Sequence, residues 1–226
     1  MNTTPNKSSG LNAKIIPYSF ILEDEEKLEL LNHIRTLKFP RKSVIIKQNN
    51  KTNRILFIKS GLVKIFREDI NERSIILQIL KEGNFINLNS IFCERNTNQS
   101  ASAISDAVIC ETDIDVFKKV VFRNIRYVEQ LFQLLCDENL LFQERLVAQV
   151  QKKLPGKVAD VLLYFSEQLY KSKKFSFPVS RKELANFAGI TKESFIRTLT
   201  EFRNDKIIEI EGSKIEVINM DILKTL

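Results

Sequence analysis

Residues 179–219 read VSRKELANFAGITKESFIRTLTEFRNDKIIEIEGSKIEVIN, and this stretch decides the fold of the carboxyl-terminal third. Ser180 followed by Glu183 is the spacing of a capping box, in which each side chain takes up the other residue's unpaired backbone N–H at a helix start. Leu184, Ala185, Phe187 and Ala188 give that helix an apolar face. Gly189 suits a tight turn needing a positive φ. Thr191 caps a second helix, whose inner side is Phe195, Leu199 and Phe202 at spacings of four and three. Two strands about Gly212-Ser213 follow as a hairpin wing. Two short helices joined by a glycine turn form a helix-turn-helix.

The side of the second helix turned away from its apolar row is expected to carry Lys192, Glu193, Ser194, Arg197 and Thr198. A recognition helix sends such side chains into the major groove of DNA. There arginine can fork to guanine O6 and N7, and glutamate can accept from cytosine N4. Ser180, Arg181 and Thr191, at the two helix starts, complete the expected DNA-contacting set. Charge agrees: Lys171–Lys206 holds nine Lys/Arg against four Asp/Glu, a large share of the net +7. That surplus favours an anionic partner. Leu, Ala and Phe define the fold while Lys192 and Arg197 do not. A ligand-sensing or protein-interaction module whose helix-turn-helix does not bind DNA therefore stays open as the alternative.

Working outward, Leu154-Pro155-Gly156 should interrupt helix, since proline lacks an amide proton and disfavours a helical residue before it. KVADVLLYFSEQLY beyond it reads as a further amphipathic helix, and KSKKFSFPVS as a basic connector with a short extended piece. Before the break, residues 116–153 contain neither glycine nor proline, and apolar residues recur at three and four. Asn124 is the expected cap of a helix running to about Lys152, roughly 42 Å long at about 1.5 Å per residue. A helix of that length suits a two-fold dimer seam, for which Val128, Leu131, Leu135, Phe142 and Leu146 are the expected interface residues; packing along its own β domain is the other use. Further upstream, RILFIKSGLVKIFRE reads as two strands joined at Gly61. SVIIKQ, SIILQILKEGNF and SASAISDAVICETDID add short β segments, as in a sandwich or small barrel. EDEEKLELLNHIRTL reads as a surface helix bearing the one histidine, His33, and the first residues as a loose polar tail.

Composition narrows function further. Cys93, Cys110 and Cys136 are widely spaced and no CxxC pair exists, which fits reduced core cysteines of a cytoplasmic protein rather than a metal site. No cofactor is expected. No nucleophile, base or metal-ligand cluster supports an enzyme. No apolar run reaches the length of a membrane span.

The segment SRKELANFAGITKESFIRTLTEF resembles the helix-turn-helix of the CRP/FNR family of bacterial transcription regulators, and the resemblance runs from about residue 20 to the end. Family members read DNA with an Arg-Glu-x-x-x-Arg arrangement, which falls here on Lys192, Glu193 and Arg197. Lysine cannot reproduce the bidentate contact of the first arginine. ILFIKSGLVKIFREDINERSIILQILKEGNFINLNSIF is similar to the family's effector-binding β-roll, with Gly61 and Gly83 at its turns. Cyclic-nucleotide binders in the family hold ribose with Gly-Glu and phosphate with Arg-Ser. The matching positions here are Asn87-Leu88 and Gln99-Ser100. Without the arginine a cyclic phosphate would sit unpaired, so cyclic AMP is not the expected effector. Iron-sulfur members carry an amino-terminal cysteine cluster, which this sequence lacks, and His33 precedes the β-roll that a haem ligand would serve.

The resemblance thus implies an α+β chain: a flexible tail over 1–17, a jelly-roll-like β-roll of the cyclic-nucleotide-binding type over 18–123, a dimerisation helix over 124–153, and a winged helix-turn-helix over 154–226. It implies a homodimer on pseudo-palindromic double-stranded DNA, with RNA polymerase as a further partner, no membrane, and an unknown effector.

Overall fold

The computed structural model describes residues 15–70, 74–93 and 97–226. The expected tail falls largely outside them, and its inner end is corrected. Ile16 is buried in the core and the Pro17 carbonyl accepts the Tyr127 hydroxyl at 2.6 Å. In chain order the elements are α1 (Asp24–His33), β1 (Arg35–Phe39), β2 (Val44–Ile46), β3 (Arg54–Ser60), β4 (Val63–Glu68), β5 (Ser74–Leu80), β6 (Ser100–Ala103), β7 (Ala107–Asp113), α2 (Ile114–Val121) and α3 (Ile125–Gln151). Then come α4 (Leu154–Leu163), prolonged by a π-helical stretch Tyr164–Leu169, β8 (Lys174–Ser176), α5 (Arg181–Ala188), α6 (Lys192–Asn204), β9 (Ile208–Glu211), β10 (Lys214–Val217) and α7 (Met220–Thr225). The chain is α+β. Its described residues fall into two compact units, the part up to Val63 with Leu80–Asp137, and Lys64–Ile79 with Glu138–Leu226.

In the first unit β7 lies between β1 and β3, antiparallel to both, so that Phe57 and Thr36 each stand opposite Cys110. β2 pairs with β6. The helix expected over EDEEKLELLNHIRTL stops at His33, and Arg35–Phe39 is a strand instead, paired antiparallel with β7. The two strands meeting at Gly61 do not form a hairpin: β3 and β4 belong to different sheets. Gly61 has φ 91°, and a Cβ there would come within 2.4 Å of the Asp106 carbonyl oxygen. The aromatic rings of Phe57, Phe85, Phe117 and Tyr127 run edge to face through the core at centroid spacings of 6.0, 5.9 and 6.2 Å. Only Cys110 of the three cysteines is in that core; Cys93 and Cys136 are exposed, a correction to the reading of all three as core.

The long helix begins where expected, with Asn124 accepting the Tyr127 N–H at 3.2 Å. It ends at Gln151, and the next helix already includes Pro155 in its first turn, where the missing N–H costs nothing. Gly156 is packed so closely that a Cβ would meet the Leu226 carbonyl oxygen at 2.5 Å.

The second unit gathers β4 and β5 with the winged helix-turn-helix. β5 is the outermost strand of its sheet, and outermost strands leave backbone groups unpaired. Here side chains take several of them: the Asn186 amide donates to the Ser74 carbonyl at 3.0 Å, Tyr164 Oη donates to the Ile79 carbonyl at 2.9 Å, and the Ile79 N–H donates to Tyr164 Oη at 3.1 Å. The mostly buried Arg145 guanidinium donates to the carbonyls of Leu77 and Phe187 and lies 4.0 Å from the Phe187 ring centroid. β8, β10 and β9 form the wing sheet in that order, and Phe165 packs among Phe175, Phe177 and Phe187 beneath it.

Candidate nucleic-acid interface

The helix-turn-helix is assembled by the caps its sequence specifies. Ser180 Oγ accepts the Glu183 N–H at 3.3 Å, and the Ser180 N–H donates to Glu183 Oε2 at 3.0 Å. Lys64 Nζ sits 2.5 Å from the other carboxylate oxygen of Glu183. Burial works against the charged form of Glu183, but its bonds to Lys64 and Ser180 prevail and hold the carboxyl below its ordinary value. Gly189 ends α5 with φ 67°, a left-handed conformation that glycine adopts without a steric penalty. Thr191 Oγ1 accepts the Ser194 N–H at 3.1 Å and starts α6. Phe195, Leu199 and Phe202 are all buried beneath it.

Of the expected DNA-contacting residues, Lys192, Glu193 and Arg197 are exposed on α6, and Arg197 makes only a loose 3.8 Å approach to Glu201. Ser180 and Thr191 are exposed but occupied by their caps. Ser194 is half-buried and accepts the Thr191 hydroxyl at 3.0 Å. Two placements are corrected. Thr198 is 2% exposed, because it lies three residues beyond Phe195 and so falls on the inward side. Arg181 is drawn into the fold: its Nη2 donates to the Gly212 carbonyl at 2.7 Å and its guanidinium sits 4.8 Å from the Phe177 ring centroid. It ties the wing turn to the start of α5. The outward row that starts at Glu193 continues through Ile196, Arg197 and Thr200 at spacings of three, four and seven. Ile196 is 41% exposed, although an isoleucine reads as core, and Thr200 is exposed as well. Counting forward from Glu193 would have found both.

On α3 the residues expected to form the seam divide between buried and exposed positions. Leu131 is fully buried in the core of the first unit, and Leu135 packs against that core. Val128 is half-buried, Phe142 is exposed and Leu146 is 65% exposed. Besides Phe142 and Leu146, an exposed row runs through Phe132, Cys136, Leu140, Val147 and Val150, with Gln143 between. From Phe132 onward its spacings are four, four, three, four and three, close to a coiled-coil repeat.

Comparison with known proteins agrees with this architecture. The model of the cyclic nucleotide-binding domain matches residues 36–124, and that of the Crp-like helix-turn-helix domain matches residues 156–226. The chain belongs to the CRP/FNR family of transcription regulators. The regulatory protein HlyX of Actinobacillus pleuropneumoniae is 24% identical over 89% of this chain and 86% of its own length. A CRP-like cAMP-activated global transcriptional regulator of Mycobacterium tuberculosis is 23% identical over 82% of this chain and 85% of its own. The structure of FixK2 from Bradyrhizobium japonicum superposes with a TM-score of 0.78 at 18% identity, covering 85% of this chain and 96% of that one. These relatives are regulators rather than enzymes. Among the described residues of this CRP/FNR regulator, no helix is long and apolar enough to cross a membrane.

Of the positions that a CRP/FNR cyclic-nucleotide binder would use, Asn87, Leu88 and Ser100 are engaged internally. Asn87 Oδ1 accepts the Leu56 N–H at 2.9 Å while its Nδ2 donates to the Arg54 carbonyl at 2.8 Å. Leu88 is buried, and Ser100 Oγ accepts the Gln48 N–H at 3.0 Å.

Proposed function

We propose that this regulator binds double-stranded DNA as a homodimer, with α6 of each subunit in successive major grooves of a pseudo-palindrome. The observation that carries the reading is the exposed row of α6, where Glu193 and Arg197 project from a helix fixed at its start by Thr191 and flanked by Lys192. An arginine and a glutamate one turn apart suit a G·C pair and its neighbour. The division into a β-roll, a long helix and a winged helix-turn-helix supports giving these parts effector response, dimerisation and DNA contact respectively. The α3 row Phe132, Cys136, Leu140, Val147 and Val150 supplies the seam, and Gln143 within it favours a single register. Cyclic AMP is not the effector: the Asn87 and Ser100 side chains already hold backbone partners, and Leu88 offers a ribose hydroxyl no acceptor. Selection of bound duplexes from a random pool tests the reading. An enriched inverted repeat with half-sites about one helical turn apart is expected; a pool without enrichment removes the proposal. Calorimetry with cyclic AMP should give no binding heat, and a micromolar complex would overturn that part.

A further inference from the structure

We infer that Ile196 reads the C5-methyl group of a thymine in the major groove, which rests on the DNA-binding reading above. Glu193, Ile196, Arg197 and Thr200 occupy one row of α6, opposite Phe195, Leu199 and Phe202. The row's charged hydrogen-bonding groups are Glu193 and Arg197, and the Thr200 hydroxyl proton is committed to the Ile196 carbonyl at 3.0 Å. Ile196 is the apolar member, 41% exposed on the side away from the core. The fold gains less from isoleucine there than from a fully buried one: 41% of the residue stays exposed, and a β-branched side chain loses rotamer freedom in a helix.

A helix seated in the groove brings such a side chain against base edges. Those edges carry hydrogen-bond donors and acceptors in every base pair, and one apolar group, the methyl of thymine. Against that methyl, Ile196 buries apolar surface. Against a cytosine amino group or a guanine carbonyl it strips water and returns no bond. Attraction to one base and rejection of the others come from the same side chain. The thymine should lie next to the base pair contacted by Glu193, which stands three residues before Ile196 and is its neighbour on the helix surface.

Deoxyuridine differs from thymidine by that methyl alone, which makes a direct test. The full chain is used to select an operator, each thymine is then replaced singly by deoxyuridine in both half-sites, and affinities are compared for the wild type and Ile196→Ala. Alanine at an exposed helical position favours the helix, so the variant folds. The expected result is one thymine per half-site whose replacement weakens wild-type binding by about fourfold per methyl, the worth of one buried apolar carbon, and at which Ile196→Ala binds both operators equally. Ile196→Val should keep most of the discrimination. An enriched operator that tolerates deoxyuridine everywhere, or loses affinity equally in both proteins, overturns the role of Ile196 and leaves DNA binding standing. A pool with no enriched sequence overturns both.

Discussion

Individual side chains in this regulator divide into those that face outward and those already bound within the fold. Arg197 belongs to the first group, so Arg197→Ala should relax one base pair of the half-site, at about 1–3 kcal/mol, while leaving other positions unchanged. A panel of single-base operator variants measures this; equal loss on specific and random DNA would reassign Arg197 to the backbone. Arg181 belongs to the second group, through Gly212 and Phe177. Tyr127 is in the core with its hydroxyl on the Pro17 carbonyl, and Tyr127→Phe leaves that acceptor unpaired. The expected cost is about 1–3 kcal/mol in urea unfolding. Glu183 carries a pH signature. Its folded carboxyl lies below the ordinary value of 4.5, so its contribution is present above that value and is lost as pH falls through the folded one. The stability difference between wild type and Glu183→Gln should therefore shrink on acidification from neutrality to below about pH 4. A gap constant with pH would show that the Lys64 and Ser180 bonds do not favour the charged carboxylate.

At the scale of elements, the long helix has a side buried in the first unit and an exposed apolar row, and substitutions should separate them. Leu131→Ala should cost about 2–5 kcal/mol of stability through the cavity it leaves in the core of the first unit. The pair Leu140→Glu with Val147→Glu should leave the fold intact and give a monomer by light scattering, with DNA affinity falling in step. A stable dimer in that double variant would place the seam elsewhere. The helix itself was legible from the run without glycine or proline and from Asn124, yet the burial of Leu131 in its own core was not. Val128, Leu131, Leu135, Phe142 and Leu146 follow helical periodicity, but periodicity reports an apolar side without saying whether that side meets its own core or a partner. Helices of the helix-turn-helix were readable because Ser180, Gly189 and Thr191 act locally, through bonds to their own neighbours in sequence. β8 joining the wing was not readable, since its pairing with β10 joins segments some forty residues apart. The strand Arg35–Phe39 was absorbed into the preceding helix for the same reason, its bonds being made to β7.

For the molecule as a whole, a net +7 concentrated near the helix-turn-helix predicts DNA affinity that falls linearly in log–log terms with salt, by about 0.9 per phosphate neutralised. Lys182→Ala, at an exposed position of α5, should lower that slope by about 1 with no change in sequence preference. An unchanged slope would mean that Lys182 touches no phosphate. The sorting of β4 and β5 with the winged helix-turn-helix bears on how the protein is to be dissected. A fragment trimmed to begin at the interhelical break would carry Asn186 and Tyr164 without the Ser74 and Ile79 groups that now occupy them, and would leave the Phe187 ring and carbonyl without Arg145. Such a shortened piece would present water with a sticky aromatic flank, whereas one that keeps the outermost strand beside the reading head would carry its own cover.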